Sequence, residues 1–244
     1  MVEIDPVIVE VSKLYLPEWN DCSMFKGSSR YCMDDPRVEM HHLDALKWFR
    51  DRFSDEARLE GHELYGTEEK FDVVILDALD PQNAVDFVEA LYGDGAFLNS
   101  LYNSLTDTGV LLTQVGESAY IGDISETYPD NFNYQRAMYE KGLKNQGFKM
   151  VFHYEEPRAG FNGIWSFYAA FKDDSSRARW QMNEAQLDLE IRKRAIQMVD
   201  DRDVEEGELK GPFDVFDGPT MATYRFPSKH AQQRQGSSPQ GYYT

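Results

Sequence analysis

The sequence predicts an α/β fold built on a doubly wound parallel sheet, and three observations carry that prediction. Short β-branched apolar runs alternate with stretches of helical period along the first 172 residues. Val73 to Leu76, inside Phe71-Asp-Val-Val-Ile-Leu, is apolar at every position, the pattern of a strand buried on both faces. That run ends on Asp77-Ala-Leu-Asp80. Carboxylates just past a strand lie at the rim where open α/β sheets hold their ligands.

Taken in order, Val2 to Ile4 reads as a short strand, and Asp5-Pro6 opens a helix with Val7, Val11 and Leu14 on one face. Residues 18–36 carry Asn, Asp, Ser, Gly and Pro without a sustained period, which makes a long loop. Arg37 to His41 reads as a strand, and Asp44 to Phe53 as a helix burying Leu46 and Phe49, with Phe53 as a third candidate. Residues 54–70 are charged and Gly-punctuated, an exposed excursion. After the strand at 72–77 come two helical stretches, one with Phe87, Ala90 and Leu91, the next with Phe97, Leu101 and Leu105. Asp107-Thr-Gly marks a turn, and Val110 to Gln114 a further buried strand. Residues 118–131 are loop-like, followed by a helix near 132–146 that stops at Gly147. Met150 to Tyr154 and Ile164 to Phe171 read as the last two strands. Residues 176–200 read as one charged amphipathic helix with Trp180, Leu187, Ile191 and Ala195 on one face, and the tail from Gln232 as disordered.

Charge narrows the function classes. The 244 residues hold 25 basic and 43 acidic side chains, a formal net charge of −18. A phosphate-binding surface needs a basic patch, so the balance argues against nucleic acid as a partner and mildly favours a cationic ligand. Cys22 and Cys32 flank a polar stretch without CxxC spacing and read first as free thiols in a reducing compartment, with a loop disulfide as the weaker alternative. No apolar run approaches membrane-spanning length and the first residues do not resemble a signal peptide, so the expected setting is the cytoplasm.

The polar residues at the carboxyl ends of the expected strands are Glu3, Asp44, Asp77 with Asp80, and Gln114 with Glu117. Five acids and an amide thus share one edge, where a ligand crevice belongs. In nucleotide-binding α/β folds the acid ending the second strand holds ribose hydroxyls, the place of Glu3; taken alone, Glu3 is better read as a surface residue. Asp44 can accept from an adenine amino group or cap its helix, and Asp80 can serve the site or cap a helix begun by Pro81. A strand-end carboxylate such as Asp77 has no such structural role. His41 and His42 lack partners at metal-ligand spacing and read as core or surface residues, and no metal site is expected. GxSxG, HExxH and P-loop patterns do not occur.

Four segments together resemble the polyamine aminopropyltransferases, the spermidine and spermine synthase family. They are Val2-Glu-Ile-Asp-Pro-Val-Ile-Val-Glu-Val-Ser, Leu43-Asp-Ala, Phe71-Asp-Val-Val-Ile-Leu-Asp-Ala-Leu-Asp-Pro and Gly109-Val-Leu-Leu-Thr-Gln, in that order. Phe216-Asp-Gly-Pro-Thr-Met and Pro227-Ser-Lys are similar to the end of that family. Asp44-Ala45 and Asp77-Ala-Leu-Asp80-Pro resemble the thermospermine synthase branch more than spermidine synthases.

The resemblance implies a Rossmann-like, class I methyltransferase-like sheet lacking its first strand and the family's N-terminal β-domain. Residues 1–172 are then the core, 173–231 a helical or irregular extension and 232–244 a tail. It implies transfer of an aminopropyl group from decarboxylated S-adenosylmethionine, a co-substrate rather than a cofactor, to a polyamine, with release of methylthioadenosine. Asp77 is the implied base. Asp80 would hold an ammonium, Glu3 the ribose, Asp44 with Ala45 the adenine edge, and Gln114 the aminopropyl end. The chain has Gln82-Asn-Ala-Val where the family has Gly and Pro, and Glu156-Pro157 at the amine-contacting Tyr-Pro. A homo-oligomer is implied as well. Two other readings stand beside this one: a methyltransferase using intact S-adenosylmethionine, and a non-catalytic polyamine-binding paralogue.

Overall fold

Residues 1–17, 21–23, 25–78, 89–93, 95–118, 132–156, 163–198 and 216–225 are described by the computed structural model. The chain divides into two units, each described by itself: Phe49–Met182 with Ala222–Thr244, and Met1–Trp48 with Asn183–Met221.

The first of these is organised by a four-stranded sheet in the order β1-β2-β4-β3, with β1 at Phe71–Leu76, β2 at Leu105–Glu117, β3 at Met150–Glu156 and β4 at Trp165–Phe171. Strands β1 and β2 run parallel, Leu76 paired with Thr113, whereas β4 is antiparallel to both β2 and β3. The sheet is therefore mixed, not wholly parallel. Only the eight residues 157–164 separate β3 from β4. A parallel crossover needs a dozen or more, so the chain must reverse.

The expected turn at Asp107-Thr-Gly lies within β2, as a bulge. Between the pairs Phe71–Leu105 and Val73–Val110, β2 runs ahead of β1 by three residues. Gly109 is needed there, because a Cβ would stand 2.7 Å from Leu105 Cβ.

Alternation sends side chains to two faces. Thr113, Tyr168 and His153 share one, cross-paired through β4. Against it lies helix α5 (Phe132–Gln146), whose buried Tyr139 places its hydroxyl 2.9 Å from Thr113 Oγ1 and stacks on Tyr168. Helix α4 (Gly95–Ser104) buries Phe97, Leu98 and Leu101, as its apolar period requires. The opposite face carries Phe152, Ala169 and Phe171 under Trp180 of α6 (Asp174–Trp180), with Val110, Leu112 and Met150 packed around them. This second face is not covered along its whole width. Val73 and Ile75 of β1 are 55% and 67% exposed, so β1 is not buried on both faces as its sequence suggests. Its continuous apolar run reports a surface that needs a cover, and on this side the described structure supplies none.

Residues 54–70 also hold more structure than an excursion. Ser54 caps a short helix α3 (Asp55–Glu60) by accepting from Ala57 N, and Gly61 ends it in the left-handed region at φ 68°. Phe49, Phe53, Phe71 and Phe97 form an aromatic cluster with ring centroids 6.0–6.4 Å apart. The expected helical stretch around Phe87 falls outside the described residues, which resume in a π-helical turn at Glu89–Gly93.

In the other unit, Asp5 caps α1 (Pro6–Tyr15) by accepting from Val7 N, with proline at the first helical position. The strands expected at 2–4 and 37–41 are reduced to one parallel bridge, Val2 with His41. Helix α2 (Ala45–Phe53) begins here and continues past Trp48. The expected single helix over 176–200 is two, because Gln181–Asn183 interrupts it after α6. Its second part, α7 (Glu184–Met198), belongs to this unit, where Asp188 Oδ1 accepts from Gly218 N at 2.6 Å. Gly218 opens α8 (Gly218–Tyr224), and a Cβ there would meet Glu184 O at 2.2 Å. Only glycine permits that approach.

Cys22 and Cys32 are not free thiols: they are bonded to each other. The antiparallel bridge Asp21–Tyr31, with Cys22 N donating to Arg30 O at 2.8 Å, sets them side by side at a Cα distance of 5.0 Å. Sequence spacing alone cannot reveal that pairing, because it arises from the hairpin between them.

Candidate functional site

Asp77 comes directly after β1. Continuing the parallel register one step past Leu76–Thr113 sets it level with Gln114 of β2, on the face that carries Val73 and Ile75. Its side chain is exposed, whereas the Gln114 side chain is buried and its Oε1 accepts from Gly116 N at 2.9 Å. That bond points the amide along the strand end, and the Gln114 carbonyl takes a further bond from Tyr92 Oη at 3.4 Å. Asp77 and Gln114 are thus brought to one edge. Asp80 lies outside the described residues.

Glu3 and Asp44 are brought together in the other unit. Glu3 N donates to His41 O and His41 N to Met1 O, each at 2.9 Å, so two chain segments run parallel and end on the two acids. Glu3 Oε1 accepts from Asp5 N at 2.9 Å. Asp44 Oδ1 accepts from Leu46 N at 2.9 Å and Lys47 N at 3.4 Å, capping α2, which starts at Ala45. His41 is held by Glu39, 3.2 Å from its Nε2, and by the Trp48 ring, and His42 is exposed. Among the described residues no group of three or more His, Cys, Asp or Glu is placed to hold a metal ion. Nor is any helix there long and apolar enough to cross a membrane.

The same strand ends carry a polar group that the motif reading passes over. Glu155 accepts from Ser118 Oγ, and the buried Arg136 of α5 donates to the Glu117 carbonyl. His153, two residues before Glu155 on the same face, is 3% exposed, its ring 5.7 Å from that of Tyr168. Neither ring nitrogen has a hydrogen-bond partner among the described residues. Burial pushes His153 down to about 4, with Glu155 opposing that shift and Arg136 adding to it, so its imidazole is neutral at pH 7. The signal in the sequence is the alternation His153, Glu155 along one strand face, legible once β3 is drawn. Charge on the rim is therefore mixed: acids at Asp77, Glu117, Glu155 and Glu156, one buried cation at Arg136.

A strand-end edge with an exposed carboxylate beside a fixed amide, and a second pair of acids at the end of a parallel bridge, are features of α/β proteins that bind small polar ligands at strand ends. Residues 1–135 match the spermine/spermidine synthase domain. The chain belongs to that family. It is similar to the polyamine aminopropyltransferase of Thermococcus onnurineus (strain NA1), 28% identical over 176 residues, covering 71% of this chain and 47% of the relative. The polyamine aminopropyltransferase of Thermococcus kodakarensis is 29% identical over 196 residues, covering 78% and 54%. The chain thus spans about half the length of these curated relatives. In fold it resembles a spermidine synthase solved with the transition-state analogue AdoDATO, at a TM-score of 0.58 and 16% identity, over 96% of this chain and 60% of that one.

Proposed function

We propose that this chain carries the strand-end core of an aminopropyl transfer in polyamine biosynthesis. Its co-substrate is decarboxylated S-adenosylmethionine, its acceptor a polyamine, and its by-product methylthioadenosine. The observation that carries the reading is the family match over residues 1–135, which contains Glu3, Asp44, Asp77 and Gln114.

The chemistry is set by the groups. A polyamine nitrogen with a pKa of about 10, near the lysine value, is protonated at neutral pH and has no lone pair for attack on carbon. A carboxylate positioned on that nitrogen accepts its proton as the displacement begins, and we assign this to Asp77. The amine nitrogen bonds to the aminopropyl carbon attached to the sulfonium, that carbon–sulfur bond breaks, and its electron pair returns to sulfur as neutral methylthioadenosine. A sulfonium is already an activated leaving group. Gln114, fixed by Gly116 N, would orient the aminopropyl end, Glu3 the ribose and Asp44 with Ala45 the adenine edge. Asp80 would orient the acceptor. We read the acceptor as spermidine, as in thermospermine synthases, on Asp44-Ala45 and Asp77-Ala-Leu-Asp80-Pro; putrescine is the other candidate. Residues 1–172 are read as this core.

The test is incubation with decarboxylated or intact S-adenosylmethionine, each with putrescine, spermidine or no amine, and then separation of the products. Methylthioadenosine formed only with the decarboxylated donor and an amine supports the reading. S-adenosylhomocysteine from the intact donor would identify a methyltransferase instead. Amine binding without turnover would identify a polyamine-binding paralogue.

A further inference from the structure

We propose that the Cys22–Cys32 disulfide is a redox switch that sets the order of the Glu3–His41 pairing and, resting on the functional reading above, the affinity for the nucleoside donor. The bond closes a loop of sequence separation 10 in the connection between α1 and the segment that pairs with Glu3. Between residues 21 and 37 only Asp35 is buried among the described residues, so none of the described apolar side chains there is buried. The loop's fastenings among the described residues include Phe25 N to Cys22 O at 2.9 Å, Ser28 N to Phe25 O at 3.1 Å and the Asp21–Tyr31 bridge, together with polar side-chain contacts of Ser28, Ser29, Asp34 and Asp35. Both cysteines are half-buried rather than sealed in a core, which leaves a path for a small thiol.

The residues just after Cys32 transmit its position. The turn Cys32–Asp34 carries Asp34, whose Oδ1 is 2.7 Å from Lys13 Nζ on α1. Asp35 comes next, gripped by Arg37 through Nε at 2.7 Å and its backbone N at 2.9 Å, while Ser29 N reaches it at 3.3 Å. Asp35 O accepts from Val38 N at 2.9 Å, and from Val38 the chain runs into the stretch that bonds Met1 and Glu3. The backbone bonds His41 N to Met1 O and Glu3 N to His41 O, each at 2.9 Å, complete the path. Three residues beyond His41 stands Asp44. The two acids assigned to the donor are therefore separated in sequence by the loop that the disulfide fastens.

The redox step balances with a dithiol reductant. One of its thiolates attacks a cysteine sulfur, giving a mixed disulfide and a protein thiolate that takes up a proton. Its second thiol then displaces the other protein sulfur, which is also protonated. The reductant leaves as its cyclic disulfide, two electrons and two protons having passed to Cys22 and Cys32.

The experiment compares full-length protein oxidised by glutathione disulfide with protein reduced by dithiothreitol. Two readouts are taken: hydrogen exchange at the Glu3 and His41 amides, and affinity for methylthioadenosine. Reduction should speed exchange and weaken methylthioadenosine by about tenfold, within the usual range of coupling between sites. Cys22→Ser should behave as the reduced protein under both conditions. Equal exchange in the two states overturns the proposal, as does faster exchange with unchanged methylthioadenosine affinity, or thiols that never oxidise to a disulfide. Faster exchange on reduction with no methylthioadenosine bound in either state keeps the conformational switch and removes the functional reading instead.

Discussion

Acid should destabilise this protein through His153 in particular, and its surroundings set the size of the effect. The ring is buried beside Tyr168 with Arg136 near it, and its pKa is pushed down to about 4 in the folded chain. In the unfolded chain the imidazole titrates near its ordinary value of about 6.5. Between those two values the unfolded state binds a proton that the folded state refuses, so stability falls as pH falls and levels off below the folded value. For these two pKa values the linkage amounts to about 2 kcal/mol lost between pH 7 and pH 5, approaching roughly 3.4 kcal/mol at lower pH. Other groups titrate over the same range, which makes the difference between two proteins the quantity to measure. His153→Phe keeps an aromatic ring against Tyr168 and removes the proton site. Urea unfolding monitored by circular dichroism at pH 7, 6 and 5 should show wild type losing about 2 kcal/mol more than the variant. Parallel pH dependences in the two proteins would refute the assignment and mean that His153 is hydrated or paired in solution.

Three further outcomes are expected. Asp77→Asn should lower aminopropyl transfer by about 10²–10⁴-fold, the usual contribution of a positioned acid or base, with donor affinity scarcely changed; near-full turnover at saturating amine would remove Asp77 from the role of base. Glu3→Gln should weaken methylthioadenosine by about 1.5–3 kcal/mol in a calorimetric titration, and equal affinities would return Glu3 to a surface residue. Ile75→Thr should cost less than about 0.5 kcal/mol in urea unfolding, as exposed positions do, and should reduce light scattering at high concentration. A loss above about 2 kcal/mol would show that Ile75 is buried in solution.

Local signals were legible, and signals that depend on a distant partner were not. Asp5-Pro6 announces α1 because capping and a preset φ act within one turn, and Gly147, at φ 111°, stops α5 for the same reason. The location of β1 could be read from Phe71-Asp-Val-Val-Ile-Leu, but its burial could not. Apolar residues state a preference for cover, and Val73 and Ile75 stay exposed where nothing described lies over them. The antiparallel course of β4 was present in the short connection after Glu156, a length argument that periodicity does not weigh. The Cys22–Cys32 bond depends on Asp21 meeting Tyr31 across a hairpin, a pairing that no spacing rule encodes. For the site, Asp77 was placed by strand position alone, whereas His153 and Glu155 emerge only once β3 is paired with β4 and covered by α5.

The two acids of the smaller edge bear on how structural and functional readings of one carboxylate relate. Each makes a bond to nearby backbone: Glu3 Oε1 to Asp5 N, Asp44 Oδ1 to Leu46 N. Read alone, either bond is a reason to assign the residue to local structure. A carboxylate has two oxygens and about four acceptor sites, however, and these N–H groups, one at Glu3 and two at Asp44, fall on one oxygen of each. The bond therefore fixes the orientation of the group while leaving its second oxygen outside that contact. For a site that must hold neutral hydroxyls or an amino group, such fixing lowers the entropy lost on binding. Capping and ligand binding at Asp44 are accordingly compatible, and Asp44→Asn separates them. Asparagine keeps a side-chain oxygen for the Leu46 amide, so α2 should hold, and the capping change alone is worth only a few tenths of a kcal/mol. Methylthioadenosine affinity should nonetheless fall, because the amide presents a donor where the carboxylate presents an acceptor. Unchanged affinity with unchanged stability would leave Asp44 as a helix cap.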